Sequence, residues 1–247
     1  MRVAVVSDIH GNFTALEAVI ADVADAGADL VVHGGDLLGG GARQREVIDR
    51  IRDLGWPGVF GNADEMLWNP DLVARHLSAP AYQRMRDIVF QHIAVTVHEI
   101  GPERLAWLRA LPVRWSAHDL TVVHAGPDDV WRSPSAKASD EELETTYRPL
   151  GSPGVVYGHI HHPFVRRLPS LTVANAGSVS LSYDGDPRAA YALVDDSEVT
   201  IRRVEYDIER EVRDLTAIRF PFASWIGAML RSGTFVPPPA DDEARTP

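Results

Sequence analysis

The stretch Arg2-Val3-Ala4-Val5-Val6-Ser7-Asp8-Ile9-His10-Gly11-Asn12 decides how the rest of the chain is read. The apolar run from Val3 to Val6 predicts a short strand buried on both faces. The chain then turns through Asp8-Ile9-His10-Gly11-Asn12, with Asn12 in the place of a turn former or helix cap. Leu16, Val19, Ile20 and Val23 follow at i, i+3, i+4, i+7 and predict an amphipathic helix. Thr14 with Glu17 fits a capping box at its start, and Gly27 fits its end. The scheme then repeats. A strand over 30–32 runs into Gly34-Gly35-Asp36. A helix places Val47, Ile48, Ile51 and Leu54 on one face. A third strand over 58–60 ends at Gly61-Asn62. This alternation predicts a parallel sheet covered by helices.

Beyond Asn62 the pattern changes. Residues 64–111 hold Met66, Leu67, Trp68, Tyr82, Phe90 and Trp107 among charges, with no strand pattern. They read as two or three helices in a cap-like insertion. Strands follow over 113–115 and 120–123, then a polar helix over 135–148. Short strands cover 154–157, 164–168 and 171–173. A hairpin over 189–194 and 198–204 turns at Asp195-Asp196-Ser197, and helices cover 207–217 and 222–230. Residues 1–235 read as one domain, and the Pro-rich, charged stretch 236–247 as a disordered tail.

Composition excludes several classes. The 247 residues include no cysteine, so neither a disulfide framework nor a thiolate metal site can form. No apolar run approaches the roughly 20 residues that span a bilayer. The apolar start is cut short by Asp8, unlike a signal peptide, so a cytoplasmic protein is expected. A net charge of −11 disfavours a nucleic-acid binder. Lys137 is the one lysine among 24 basic residues, a bias that reads as genomic codon usage.

Polar residues gather where strands end. Asp8 and His10 follow the first strand, Asp36 the second and Asn62 the third. His124 closes Val122-Val123-His124, and His159 and His161 follow Val155-Val156-Tyr157-Gly158. In open α/β sheets, sites form beyond the carboxyl ends of strands. Two Asp, one Asn and four His would meet at one edge if a second sheet faced the first. Such a set suits Mn²⁺, Fe²⁺ or Zn²⁺.

Asp8-x-His10, Gly35-Asp36, Gly61-Asn62, His124 and Gly158-His159-x-His161, in that order, resemble the motifs of the calcineurin-like metallophosphoesterase superfamily. Asn175-Ala176-Gly177-Ser178 resembles a segment that follows in its compact bacterial members. The resemblance covers about residues 1–205. It implies an α/β fold, a four-layer αββα sandwich of two mixed sheets flanked by helices, with the helical insertion added. It also implies a dinuclear centre of two divalent ions, Mn, Fe or Zn. Asp8, His10 and His161 would hold one ion and Asn62, His124 and His159 the other, with Asp36 bridging. The implied activity is hydrolysis of a phosphomonoester or phosphodiester, with a hydroxide held between the ions attacking phosphorus in line. Asp36, Asn62 and His124 would be the catalytic ligands.

One departure stands out. Many superfamily members carry a histidine after the asparagine, thought to assist the leaving group. Here the run is Gly61-Asn62-Ala63-Asp64, so Asp64 or a water would have to supply that proton. His33 and His162 are candidates for supporting or substrate contacts, although packing and an exposed rim position are the commoner roles. Asn175 and Ser178 are expected to shape a turn near the site. His76, His92, His98 and His118 read as surface or cap residues, and Arg84 and Arg86 as exposed helix charges. The expected partner is a small phosphorylated substrate, with no membrane partner. The competing readings are a nucleotide-directed hydrolase or nuclease, and a non-catalytic interaction module on the same fold.

Overall fold

The computed structural model describes residues 1–196 and 198–239. Strand β1 (Arg2–Val6) is buried on both faces, as its unbroken apolar run requires. Val3 and Val5 point to one side and Ala4 and Val6 to the other. β1 pairs in parallel with β2 (Leu30–His33) and antiparallel with β8 (Ala189–Asp195), which pairs antiparallel with β9 (Glu198–Val204). The second sheet contains β3 (Arg114–Ala117), β4 (Leu120–Val123), β5 (Gly154–Tyr157), β6 (Phe164–Arg167) and β7 (Thr172–Asn175), in the order β3-β4-β5-β7-β6. Its three central strands are parallel and its two edge strands antiparallel.

The two mixed sheets face each other across an aliphatic layer. Val3, Val5 and Val32 meet Val122, Val156 and Ala174 there. Helices α1 (Phe13–Asp25) and α2 (Gln44–Leu54) cover the outer face of the first sheet. Helix α6 (Asp140–Tyr147) covers the second through Leu143 and Tyr147. The result is the αββα sandwich that the motifs implied.

The insertion is helical. It contains α3 (Asn62–Glu65), α4 (Asp71–His76) and α5 (Gln83–Arg109). Helix α5 is broken at Gly101, whose φ of 72° is left-handed, and Pro102 restarts it from a first-turn position. Near the C-terminus, α7 (Ile208–Ala217) and α8 (Ala223–Ser232) pack on each other and around Leu181. Residues 240–247, most of the expected tail, lie outside the described residues, as does Ser197 of the hairpin turn.

Three sequence expectations are corrected. The capping box at Thr14 and Glu17 does not form. The Asn12 side chain reaches the Ala15 N–H first, at 2.9 Å, so α1 begins at Phe13. Thr14 donates instead to Glu211, and Glu17 pairs with Arg50. Residues 58–60 form only one bridge, Gly58 to His33. Their partner strand turns away at Gly34, and Phe60 N–H leaves the sheet to donate to the Pro112 carbonyl. The expected helix over 135–148 begins only at Asp140, because the Ser139 hydroxyl caps it by accepting the Glu142 N–H.

Candidate metal centre

The strand ends converge. Asp8 and His10 leave β1, Asp36 leaves β2, and Asn62 opens α3. His124 leaves β4, while His159 and His161 leave β5. Backbone pairing continues past the strands: Asp8 N–H donates to the Gly35 carbonyl at 3.0 Å and His10 N–H to that of Asp36 at 2.9 Å. Asp8, His10, Asp36, His159 and His161 all have positive φ, between 51° and 67°. Non-glycine residues seldom adopt that region, although Asp, Asn and His tolerate it best. Such conformations collect at functional sites. The loops therefore turn at the chemical groups themselves, which brings all seven side chains onto one edge.

Carbonyl acceptors orient the imidazoles. Nδ1–H of His10 donates to Gly39 at 2.9 Å, that of His124 to Gly34 at 2.9 Å, and that of His161 to Leu181 at 2.5 Å. With Nδ1 committed, each ring turns its Nε2 to the interior, the orientation that outer hydrogen bonds impose on metal-binding histidines. His10 Nε2 and His161 Nε2 face each other at 3.2 Å, and His161 Nε2 lies 3.1 Å from Asp8 Oδ1. Asn62 Oδ1 lies 2.9 Å from His124 Nε2 and 2.7 Å from His159 Nδ1. Asp36 points one oxygen at each group: Oδ2 is 3.8 Å from His10 Nε2, and Oδ1 is 3.5 Å from His124 Nε2.

Acceptor atoms brought this close in a buried site repel unless a proton or a metal cation lies between them. Asp8, His10 and His161 could hold one ion, and Asp8, Asp36 and His124 a second. Asn62 and His159 complete a donor set of oxygens and imidazole nitrogens without sulfur, which fits Mn, Fe or Zn. The electrostatics agree. Burial and the neighbouring Asp8 push the Asp36 carboxyl well above the usual range. Burial raises Asp8 too, but the attraction and hydrogen bond of His161 outweigh it and hold it below that range. Burial and His161 depress His10 to about 4, and burial and His124 depress His159 to about 3. Neutral imidazoles are the form that binds metal.

Glycine is required where backbone crosses the site. A Cβ on Gly61 would lie 2.1 Å from Asp36 Oδ1, and one on Gly158 would lie 2.2 Å from Asp8 Oδ2. Asn175 donates to the Gly158 carbonyl, and the Ser178 hydroxyl donates to that of Asp8 at 2.9 Å. Both brace the turns that carry the histidines, as the sequence suggested.

Asp64 is fully buried and accepts N–H groups from Leu37 at 3.0 Å, Leu38 at 3.3 Å and Gly61 at 3.0 Å. Burial, with Asp36 adding, pushes its carboxyl up to about 7. Its oxygens hold the loop around Asp36 and do not line the cleft. Ala63 does line it, and donates its own N–H to Asp36 Oδ1 at 2.7 Å. His33 is fully buried beside Trp107, away from the cleft. His162 hydrogen-bonds to the Ile160 carbonyl and does not line the cleft either.

A cavity of about 250 Å³ opens over these groups. Ile88, Val89, His92 and Thr96 of α5 line it, so the insertion covers the cleft. His92 is thus a half-buried cap residue that lines the cleft, with its Nε2–H on the Pro221 carbonyl at 2.8 Å. Tyr183 stacks on His161, with ring centroids 4.6 Å apart. Trp225 and Met229 of α8 close the far side. Sequence reading missed this wall, since nothing local links residues 223–232 to the strand ends. Arg84 lies over Phe222, and Arg86 donates to the Leu77 and Ala79 carbonyls, so neither reaches the cavity.

The chain resembles known proteins. The model of the calcineurin-like phosphoesterase superfamily domain matches residues 1–198. The uncharacterized protein MJ0912 of Methanocaldococcus jannaschii is 29% identical over 94% of this chain and 98% of its own. The phosphodiesterase YfcE of Escherichia coli is 24% identical over 81% of this chain and 91% of its own. A crystal structure of a metallophosphoesterase from Sphaerobacter thermophilus superposes with a TM-score of 0.77 at 28% identity, covering 95% of this chain and 100% of that one.

Proposed function

The chain belongs to the calcineurin-like phosphoesterase superfamily and is a hydrolase of that family, and from that premise we propose that it cleaves a small phosphomonoester or phosphodiester at a centre of two divalent ions. Asp8, His10 and His161 would hold one ion, Asn62, His124 and His159 the other, with Asp36 between them. The observation that carries this reading is the convergence of inward nitrogens and oxygens on one another: His10 Nε2 against His161 Nε2, and Asn62 Oδ1 against His124 Nε2. When bound, the ion pair supplies Lewis-acid charge and a water acidified toward neutrality for in-line displacement.

The protein's own groups do the rest. Carbonyls of Gly39, Gly34 and Leu181 keep three imidazoles in the binding tautomer. Asp64 fixes the Asp36 loop by accepting three backbone N–H groups. Helices α5 and α8 wall off the cleft, which strengthens every charge interaction inside it. Likeness to the phosphodiesterase YfcE supports keeping diesters among the substrates.

The test is reconstitution. Chelator-stripped protein, titrated with Mn²⁺, Fe²⁺ or Zn²⁺, should gain hydrolysis of p-nitrophenyl phosphate or its bis-ester, saturating near two ions per chain. Saturation at one ion, or activity in the stripped protein, would refute the two-ion reading.

A further inference from the structure

The cavity has two chemistries. Its floor is the cluster of ligand side chains. Its walls and roof are apolar: Met66, Ile88 and Ile93 from the insertion, and Trp225, Ile226 and Met229 from α8. Among the described residues no lysine or arginine lines it. Besides Trp225, three side chains on the walls carry polar atoms. His92 commits Nε2–H to the Pro221 carbonyl. Thr96 is fully buried, and its hydroxyl has no hydrogen-bond partner. Tyr183 lies flat against His161.

A second phosphate, or a sugar with several hydroxyls, would lie against hydrocarbon here, with its charges and hydrogen bonds unmatched. A compact apolar group would not. Size sets a further limit, because an apolar cavity of about 150 Å³ accommodates benzene. About 250 Å³ therefore has room for one ring beside a phosphoryl group. The Trp225 wall is held in place, since its Nε1–H donates to the Val236 carbonyl at 2.8 Å.

We propose that the substrate is a phosphoester with a single phosphoryl group on a compact apolar organic group, ring-sized or branched alkyl, which the insertion and α8 take out of water. The proposal rests on the two-ion phosphoesterase reading for the fate of the phosphoryl group, but the pocket can be tested separately from turnover.

The metal-loaded full chain is compared on 2-phenylethyl phosphate, glycerol 1-phosphate and AMP, three primary alkyl esters of broadly similar leaving-group acidity. We expect kcat/KM at least about tenfold higher for the phenylethyl ester, mostly through KM. Calorimetric binding of 2-phenylethylphosphonate against methylphosphonate should show a similar preference. Trp225→Ala should shrink both ratios. Val89→Arg, at a half-buried lining position, should move preference toward AMP. Equal or better use of glycerol phosphate or AMP, or equal binding of the two phosphonates, would overturn the proposal. If the phosphonate preference holds while nitrophenyl esters stay intact with every metal, the catalytic reading fails and the pocket assignment stands.

Discussion

Glu211, fully buried on α7, accepts the backbone N–H of Ala42 at 2.8 Å. The same carboxylate takes the Thr14 hydroxyl at 2.7 Å and the Arg43 guanidinium at 3.4 Å. A helix near the C-terminus thus clamps the start of α1 to the loop whose Gly39 carbonyl orients His10. Removing one partner of a buried charged network costs about 3 kcal/mol. Glu211→Ala should lower Tm by roughly 6–12 °C at this chain length. It should also weaken metal binding at the Asp8, His10 and His161 group. Glu211→Gln keeps an acceptor for Ala42 and should lose less. Calorimetry with metal analysis checks both effects.

Asp36 stands between the two groups, so its loss should be felt by both. Asp36→Asn is expected to lower occupancy of both ions and nearly abolish hydrolysis, while circular dichroism stays native. Two ions per chain with near-normal turnover would contradict the bridging role.

Gly61 tests the close approach directly. Its substitution by alanine puts a methyl group 2.1 Å from Asp36 Oδ1 and 2.7 Å from the His124 ring. Gly61→Ala should therefore abolish metal-dependent activity as fully as Asp36→Asn does. Retained activity would mean that the loop can retreat.

His33 gives a pH signature. Burial depresses its ring from 6.5 to about 4, with the Val59 backbone opposing slightly. The unfolded ring protonates near 6.5 and the folded one only near 4, so the unfolded state binds more protons between those values. Stability is therefore present above 6.5 and falls as pH drops toward 4, by about 3 kcal/mol for this group. The unfolding free energy of His33→Leu, followed in urea, should fall by that much less over the same window. A wild-type-minus-variant difference independent of pH would refute this.

Ala63 leaves the leaving group without an obvious donor, and Asp64 is occupied by backbone. General acid catalysis contributes about 10²–10⁴-fold, and alkoxides need it most. The enzyme should favour aryl over alkyl esters of matched size, and Ala63→His should raise the alkyl rate more than the aryl rate. A flat dependence of kcat/KM on leaving-group acidity would point to another donor in the cavity, such as Tyr183.

The ligand motifs were legible in the sequence because metal chemistry needs particular side chains at turns, and turns follow short apolar strands. The unbroken apolar run from Val3 to Val6 disclosed a strand buried on both faces, and Asn12 was recognisable as a cap. Other features depend on distant partners. Residues 58–60 look like a strand, but β2 gives them one bridge before turning away. Glu211 looks like an ordinary helix acid, and only its position against Ala42 and Thr14 reveals a clamp. Trp225 and Met229 carry no local mark of lining a cleft. His92 had no motif around it, and its place in the cavity depends on how α5 crosses the strand ends.

The left-handed backbone at Asp8, His10, Asp36, His159 and His161 bears on how such a centre can change over generations. Side chains that tolerate this conformation are few: glycine first, then asparagine, aspartate and histidine. Those last three are all ligands, and in the genetic code a single first-base change converts any of them into another. Variation that spares the backbone at these positions therefore tends to swap one donor atom for another. The fold steers drift toward altered metal preference and away from a blank site.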